Sequence, residues 1–100
     1  MIICFDVDET LDCSRGPVPV ARLNELVAQG HTVIIVSPSH NRPKGFIEIL
    51  SQMHKRKTSL DEVKRQYPQE SIFFYVSDND GDDEICREAG FTYVHPDDFR

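Results

Sequence analysis

Apolar positions along this chain fall into short continuous runs separated by stretches of helical spacing. Ile2-Ile3-Cys4-Phe5, Thr32-Val33-Ile34-Ile35-Val36 and Ile72-Phe73-Phe74-Tyr75-Val76 are such runs, and Phe91-Thr92-Tyr93-Val94 is a shorter fourth. Runs of this length, rich in β-branched and aromatic residues, suit strands buried on both faces of a parallel sheet. Between the first two, Val20, Leu23, Leu26 and Val27 share one helical face, with Pro19 in the first turn and Gly30 as the stop. Phe46, Ile49, Leu50 and Met53 also repeat at helical spacing, which predicts a second helix from about Pro43. Thr58 with Asp61, or Ser59 with Glu62, resembles a capping box that opens a short helix running to about Gln66, with Pro68 ending it. A final helix is expected from about Asp82 to Ala89, closed by Gly90.

This alternation of strand and helix predicts an α/β fold: a small doubly wound three-layer sandwich with right-handed crossovers and a mostly parallel sheet of about four strands. One hundred residues suffice for a single domain, 1–100, with a modest core. Parallel strands point the same way, so the residues that follow them gather on one rim. The first strand stops at Asp6 and Asp8, the second at Ser37, and the third at Asp78, Asn79, Asp80, Asp82 and Asp83. Carboxylates are costly to bury unpaired, so they belong where the chain leaves the sheet, at the carboxyl end where open α/β sheets take their ligands.

Composition narrows the possibilities. A formal net charge of -6 speaks against a general nucleic-acid coat. No apolar stretch approaches the roughly 20 residues of a membrane span, and the first apolar run lacks the basic flank of a signal peptide. Cys4, Cys13 and Cys86 are odd in number and widely spaced, as in a reduced cytoplasmic protein. A calcium EF-hand starting at Asp78 fails, because Asp83 would stand at its glycine and Ala89 at its closing acid.

Paired acids at a strand end can hold a hard cation, and one can attack while the other handles protons. Asp6-Val7-Asp8-Glu9-Thr10 after an apolar strand, Ser37 ending the next, a lysine before a helix, and Asp78-Asn79-Asp80-Gly81-Asp82 leading to Glu88-Ala89-Gly90 resemble the haloacid dehalogenase superfamily nearly end to end. The resemblance implies a Rossmann-like domain and a phosphatase acting through an aspartyl-phosphate. Asp6 would attack phosphorus, and Asp8 would protonate the leaving oxygen and then activate water. Asp6, the Asp8 carbonyl and Asp78 would hold Mg²⁺. Ser37 would bind a phosphate oxygen, and a lysine would add positive charge. Lys57 fits the family's placement of that lysine, with Lys55 and Lys44 as alternatives. Thr10 and Asp82 complete the motifs in supporting positions.

Two departures from the family pattern bear on function. Glu9 stands where many relatives have glycine, and the chain leaves no room for a cap domain or for the strand usually found before the motif lysine. A minimal, capless member would need its site covered by a large substrate or by a second copy of itself. The expected partner is therefore a phosphorylated substrate, small or macromolecular, with nucleic acid only as such a substrate and a membrane not expected. A non-catalytic Mg²⁺- and phosphate-binding module and a phosphotransferase using the same nucleophile are the alternatives.

Overall fold

The computed structural model describes residues 1–49 and 56–99. Its elements in chain order are β1 (Ile2–Phe5), α1 (Val20–Ala28), β2 (Thr32–Val36), β3 (Ile47–Ile49), α2 (Arg56–Gln66), β4 (Phe73–Val76), α3 (Asp82–Ala89), β5 (Thr92–Val94) and α4 (Pro96–Phe99). The strands form one all-parallel sheet in the order β3-β2-β1-β4-β5, a Rossmann-like topology. Register carries Ile2 opposite both Thr32 and Phe73, and Phe5 opposite both Ile35 and Val76. The central strand β1 is thus enclosed on both edges, which is why its four residues are all apolar and buried.

Alternation along the strands divides the core in two. Ile2, Cys4, Ile34, Val36, Phe73 and Tyr75 pack with Leu60 and Val63 of α2 and Cys86 and Ala89 of α3. Ile3, Phe5, Val33, Ile35 and Val76 pack with Leu23 and Leu26 of α1, and Phe99 of α4 joins this second cluster. The Phe5 and Phe99 rings lie 5.2 Å apart. These are the three layers expected of the doubly wound fold.

The sheet departs from expectation at its edge. Five strands are present rather than about four, and β3 occupies a stretch that reads as part of a helix from Pro43. Phe46 and Ile49 are three residues apart, as on a helix, but Gly45 takes φ +93°, a left-handed conformation that turns the chain onto β2. Ile47 and Ile49 then pair with Ile34 and Val36. A strand therefore precedes α2, where the sequence was expected to leave no room for one. Leu50 and Met53, which completed the helical pattern, lie outside the described residues, as does Lys55.

Between β1 and α1 the chain folds back through a single 3₁₀ turn over Asp12–Ser14. Gly16 lies flat against the Thr10 backbone, where a Cβ would stand 2.1 Å from the Thr10 carbonyl carbon. Asp12 accepts a hydrogen bond from the Val20 amide at 3.1 Å, so this loop also anchors the start of α1. No helix among the described residues is long and apolar enough to cross a membrane.

Candidate active site

Strand order reverses between β1 and β4: the chain winds outward through β2 and β3, then returns to the far side of β1. A crevice opens at such a switch point, outside the carboxyl ends of the strands. Here it is a cavity of about 570 Å³ lined by Asp6, Asp8, Glu9, Ser37, Pro38, Arg56, Asp78, Asn79 and Asp80. The topology thus brings together the acids after β1, the serine after β2 and the acid cluster after β4.

Asp6 is the first residue beyond β1, and its amide still bonds to the Val76 carbonyl at 2.9 Å, so its backbone is fixed by the sheet. The residue is 7% exposed. Burial raises the proton affinity of its carboxyl above the ordinary carboxylate range, against the opposing pull of Arg56 and hydrogen bonds from Val7 and Ser37. Asp78 faces it from the end of β4. Burial, a hydrogen bond with Glu9 and the charges of Asp6 and Glu9 push the Asp78 carboxyl up to about 6. Glu9 reaches this position with φ 59°, an unusual left-handed backbone for a residue other than glycine.

Asp8 is the opposite case. Ser14 Oγ donates to its Oδ1 at 2.5 Å and Ser39 Oγ donates to the same oxygen at 2.8 Å. These two hydroxyls, chief among several causes, hold Asp8 below the ordinary carboxylate range. Asn41 ties the arrangement together: its side-chain amide donates to Ser14 Oγ at 3.3 Å and its backbone amide to Ser39 Oγ at 3.0 Å. The loops after β1 and β2 are therefore stitched to each other through one carboxylate.

Serines end both β2 and β4 in the same way. Ser37 Oγ accepts the Ser39 amide at 3.1 Å, and Ser77 Oγ accepts the Asn79 amide at 3.2 Å. Each hydroxyl turns the chain; Ser77 Oγ also donates to Asp82 at 2.6 Å, and Ser37 stands close enough to Asp6 to favour its ionised form. A structural turn before Pro38 and a polar contact within the cavity are thus the same feature.

No family model matches the chain, and no curated protein or solved structure matches it. What the site can do rests on its own geometry.

Among the described residues, the cation that lines the cavity is Arg56. Its Nη1 donates to Asp82 Oδ2 at 2.5 Å, and its guanidinium lies 5.8 Å from the centre of the Tyr75 ring. Asp82 is 2% exposed and also accepts from Ser77 Oγ at 2.6 Å. It sits in the first turn of α3, one position beyond the N-cap, which Gly81 holds. Burial works against the Arg56 charge, but Tyr75, Asp6 and Asp82 outweigh it and raise the guanidinium's proton affinity. Lys57 is placed differently: its Nζ bonds to Asp61 at 3.0 Å on the exposed side of α2, and it does not line the cavity. Lys44 is exposed on the loop before β3.

Helical phase accounts for this exchange. Arg56, Ser59, Leu60 and Val63 stand at i, i+3, i+4 and i+7, so Arg56 shares the face that α2 buries. Lys57 and Asp61 share the outer face. The apolar stripe signals this in the sequence; Ser14 and Ser39 carry no comparable signal, because their role depends on two loops meeting.

Thr10 is wholly buried, and its Oγ1, like Arg56 Nε, has no hydrogen-bond partner among the described residues. The thiols of Cys4 and Cys86 are held protonated by burial, Cys86 pushed up to about 12, which leaves both inert as nucleophiles. His95 Nδ1 accepts the Asp97 amide at 3.2 Å and belongs to the turn into α4.

No three His, Cys, Asp or Glu side chains among the described residues converge as a ready-made metal cluster. The donor set nevertheless suits a hard divalent cation. Asp6, Asp78 and Glu9 are all oxygen donors; burial raises the proton affinities of Asp6 and Asp78, and at Asp78 the neighbouring Glu9 and Asp6 add to it. A backbone carbonyl such as that of Asp8 would be a donor of the same kind.

Proposed function

We propose that this chain is a magnesium-dependent phosphatase, a phosphoric monoester hydrolase of the haloacid dehalogenase type that works through an aspartyl-phosphate. The observation that carries the reading is the pairing of Asp6 with Asp78 across the switch point, two crowded carboxylates in one cavity with a half-buried arginine.

Asp6 is the nucleophile. A bond forms between its carboxylate oxygen and phosphorus while the bond from phosphorus to the ester oxygen breaks. Asp8 gives its proton to that departing oxygen. A water then attacks phosphorus, Asp8 takes the water's proton, the acyl phosphate bond breaks and Asp6 is regenerated with release of inorganic phosphate. The serine hydrogen bonds keep Asp8 ionised in the free protein, the form the second step requires. The approach of a phosphate raises its proton affinity, and Asp8 takes up from the substrate monoanion or from solvent the proton that it passes to the leaving oxygen in the first step.

Arg56 fills the role expected of the motif lysine. A guanidinium fixed by Asp82 and the Tyr75 ring presents planar donors to phosphate oxygens and balances charge as Asp6 attacks. Ser37 contributes a hydroxyl beside Asp6. Asp6, Asp78 and the Asp8 carbonyl would hold Mg²⁺, which supplies charge neutralisation between an anionic nucleophile and an anionic substrate. Asp82 and Ser77 act through Arg56 as positioning residues.

Hydrolysis of phenyl phosphate with and without Mg²⁺, beside the Asp6→Asn variant, tests the proposal. Mg²⁺-dependent release of phosphate should fall by roughly 10³-fold or more in the variant. Activity that survives the substitution would overturn the assignment. Stabilisation by Mg²⁺ with no turnover would instead favour a binding module.

A further inference from the structure

The hydrogen bonds around Asp8 have a consequence for what lies beyond the phosphoryl group; it rests on the hydrolase reading given above. Attack by Asp6 expels the leaving oxygen toward Asp8, so the rest of the substrate extends over the loops that hold Asp8. Each of the two serines in that clamp is followed by a basic residue: Arg15 after Ser14, and His40 after Ser39. Hydrogen bonds from Ser14 and Ser39 to one oxygen, and from Asn41 to both serines, fix these two positions beside each other.

Both side chains are exposed and, among the described residues, neither forms a hydrogen bond or ion pair. Most other exposed cations are engaged: Lys57 with Asp61, Arg65 with Glu62 and Arg87 with Asp83. Arg15 also holds φ 68°, a left-handed conformation in which glycine would be the easier residue. Across the cavity the lining is acidic, with Glu9, Asp78 and Asp80. Arg15 and His40 stand outside that lining, on the Asp8 side, where both charges act on the Asp8 carboxylate.

We propose that Arg15 and His40 form an anion subsite for the leaving group, so that the preferred substrate is a phosphomonoester whose alcohol carries a second negative group. A carboxylate and a second phosphate satisfy the same chemistry. The metal and nucleophile select the phosphoryl group, and this pair selects what is attached to it.

The test is a charge series of matched aryl esters: phenyl phosphate, 4-carboxyphenyl phosphate, hydroquinone bisphosphate and 4-(aminomethyl)phenyl phosphate. The anionic members should exceed phenyl phosphate in kcat/KM by about fivefold at low salt, as expected for exposed charge pairs. The cationic member should fall below it, and added KCl should compress the spread. In an Arg15→Gln, His40→Gln double variant the anionic-to-neutral ratio should drop to about one. Lys44→Gln, which removes a cation elsewhere on the same loop, should keep the ratio. The carboxylate and bisphosphate arms separate the two sources of charge. Equal turnover of all four esters overturns the subsite and leaves the hydrolase reading intact, and loss of preference in Lys44→Gln overturns it in favour of a general field. Absence of turnover with every ester overturns the hydrolase reading, and the subsite with it.

Discussion

Replacing Asp78 by Asn should make the protein more stable at neutral pH, even though it removes a proposed metal ligand. In the wild type the Asp78 carboxyl is pushed from its ordinary 3.8 to about 6 by burial, by Glu9 and by Asp6. The folded chain therefore binds this proton more tightly than the unfolded chain does. Such a group favours folding most below about 3.8, and stability declines as pH rises through about 6. At 1.36 kcal/mol per unit, a fully shielded shift of this size would be worth about 3 kcal/mol. Asp78 is partly solvated, and screening reduces that to about 1 kcal/mol. An asparagine carries no charge and can still donate to Glu9, as the protonated acid does. Thermal unfolding without divalent cations should place the variant's Tm about 4–8 °C above wild type at pH 7.5, with the difference closing near pH 4. Mg²⁺ should raise the wild-type Tm at pH 7.5 and have little effect on the variant. A variant no more stable than wild type at pH 7.5, or an advantage unchanged at pH 4, would refute the account of crowded charge.

Three further predictions follow from other parts of the site. Ser14→Ala combined with Ser39→Ala should raise the Asp8 proton affinity, read by carbon NMR titration of the side chain, because two donors to its ionised form are lost. The stability tied to that carboxylate is present above the ordinary value and lost as pH falls through the lowered one, so the double variant should show a weaker acid-side decline. Arg56→Met leaves the buried Asp82 carboxylate with Ser77 alone and should cost about 2–4 kcal/mol in urea unfolding, whereas Arg56→Lys should cost less than half as much. Gly16→Ala drives a Cβ into the Thr10 backbone, which has no room to retreat, and should destabilise by about 2–3 kcal/mol in the same assay.

Much of this architecture is legible in the residues themselves. The strands β1, β2, β4 and β5 are runs of apolar residues that no helix pattern competes with, and Pro19, Gly30 and Gly90 mark helix limits. Asp6, Asp8, Ser37 and Asp78 gather at one rim because parallel strands leave them no other place. β3 is harder to read because three residues are too short to show alternation, and the spacing of Phe46 and Ile49 imitates a helix. Deciding between Arg56 and Lys57 requires the phase of α2, which Leu60 and Val63 set. The clamp of Ser14 and Ser39 on Asp8 is a contact 31 residues apart in one of its arms, and no local pattern encodes such a meeting.

Arg56 shares its helix face with Leu60 and Val63, which pack against Cys4, Tyr75 and Cys86. The position of the cavity's positive charge is therefore a mechanical property of the core. Rotating α2 to present a different cation would strip Leu60 and Val63 from the sheet. Loosening the same packing, as in Val63→Ala, would let the guanidinium wander relative to Asp6. Sequence drift in this layer is coupled to charge placement at the rim, so residues that never touch a ligand share in the constraint that a ligand imposes.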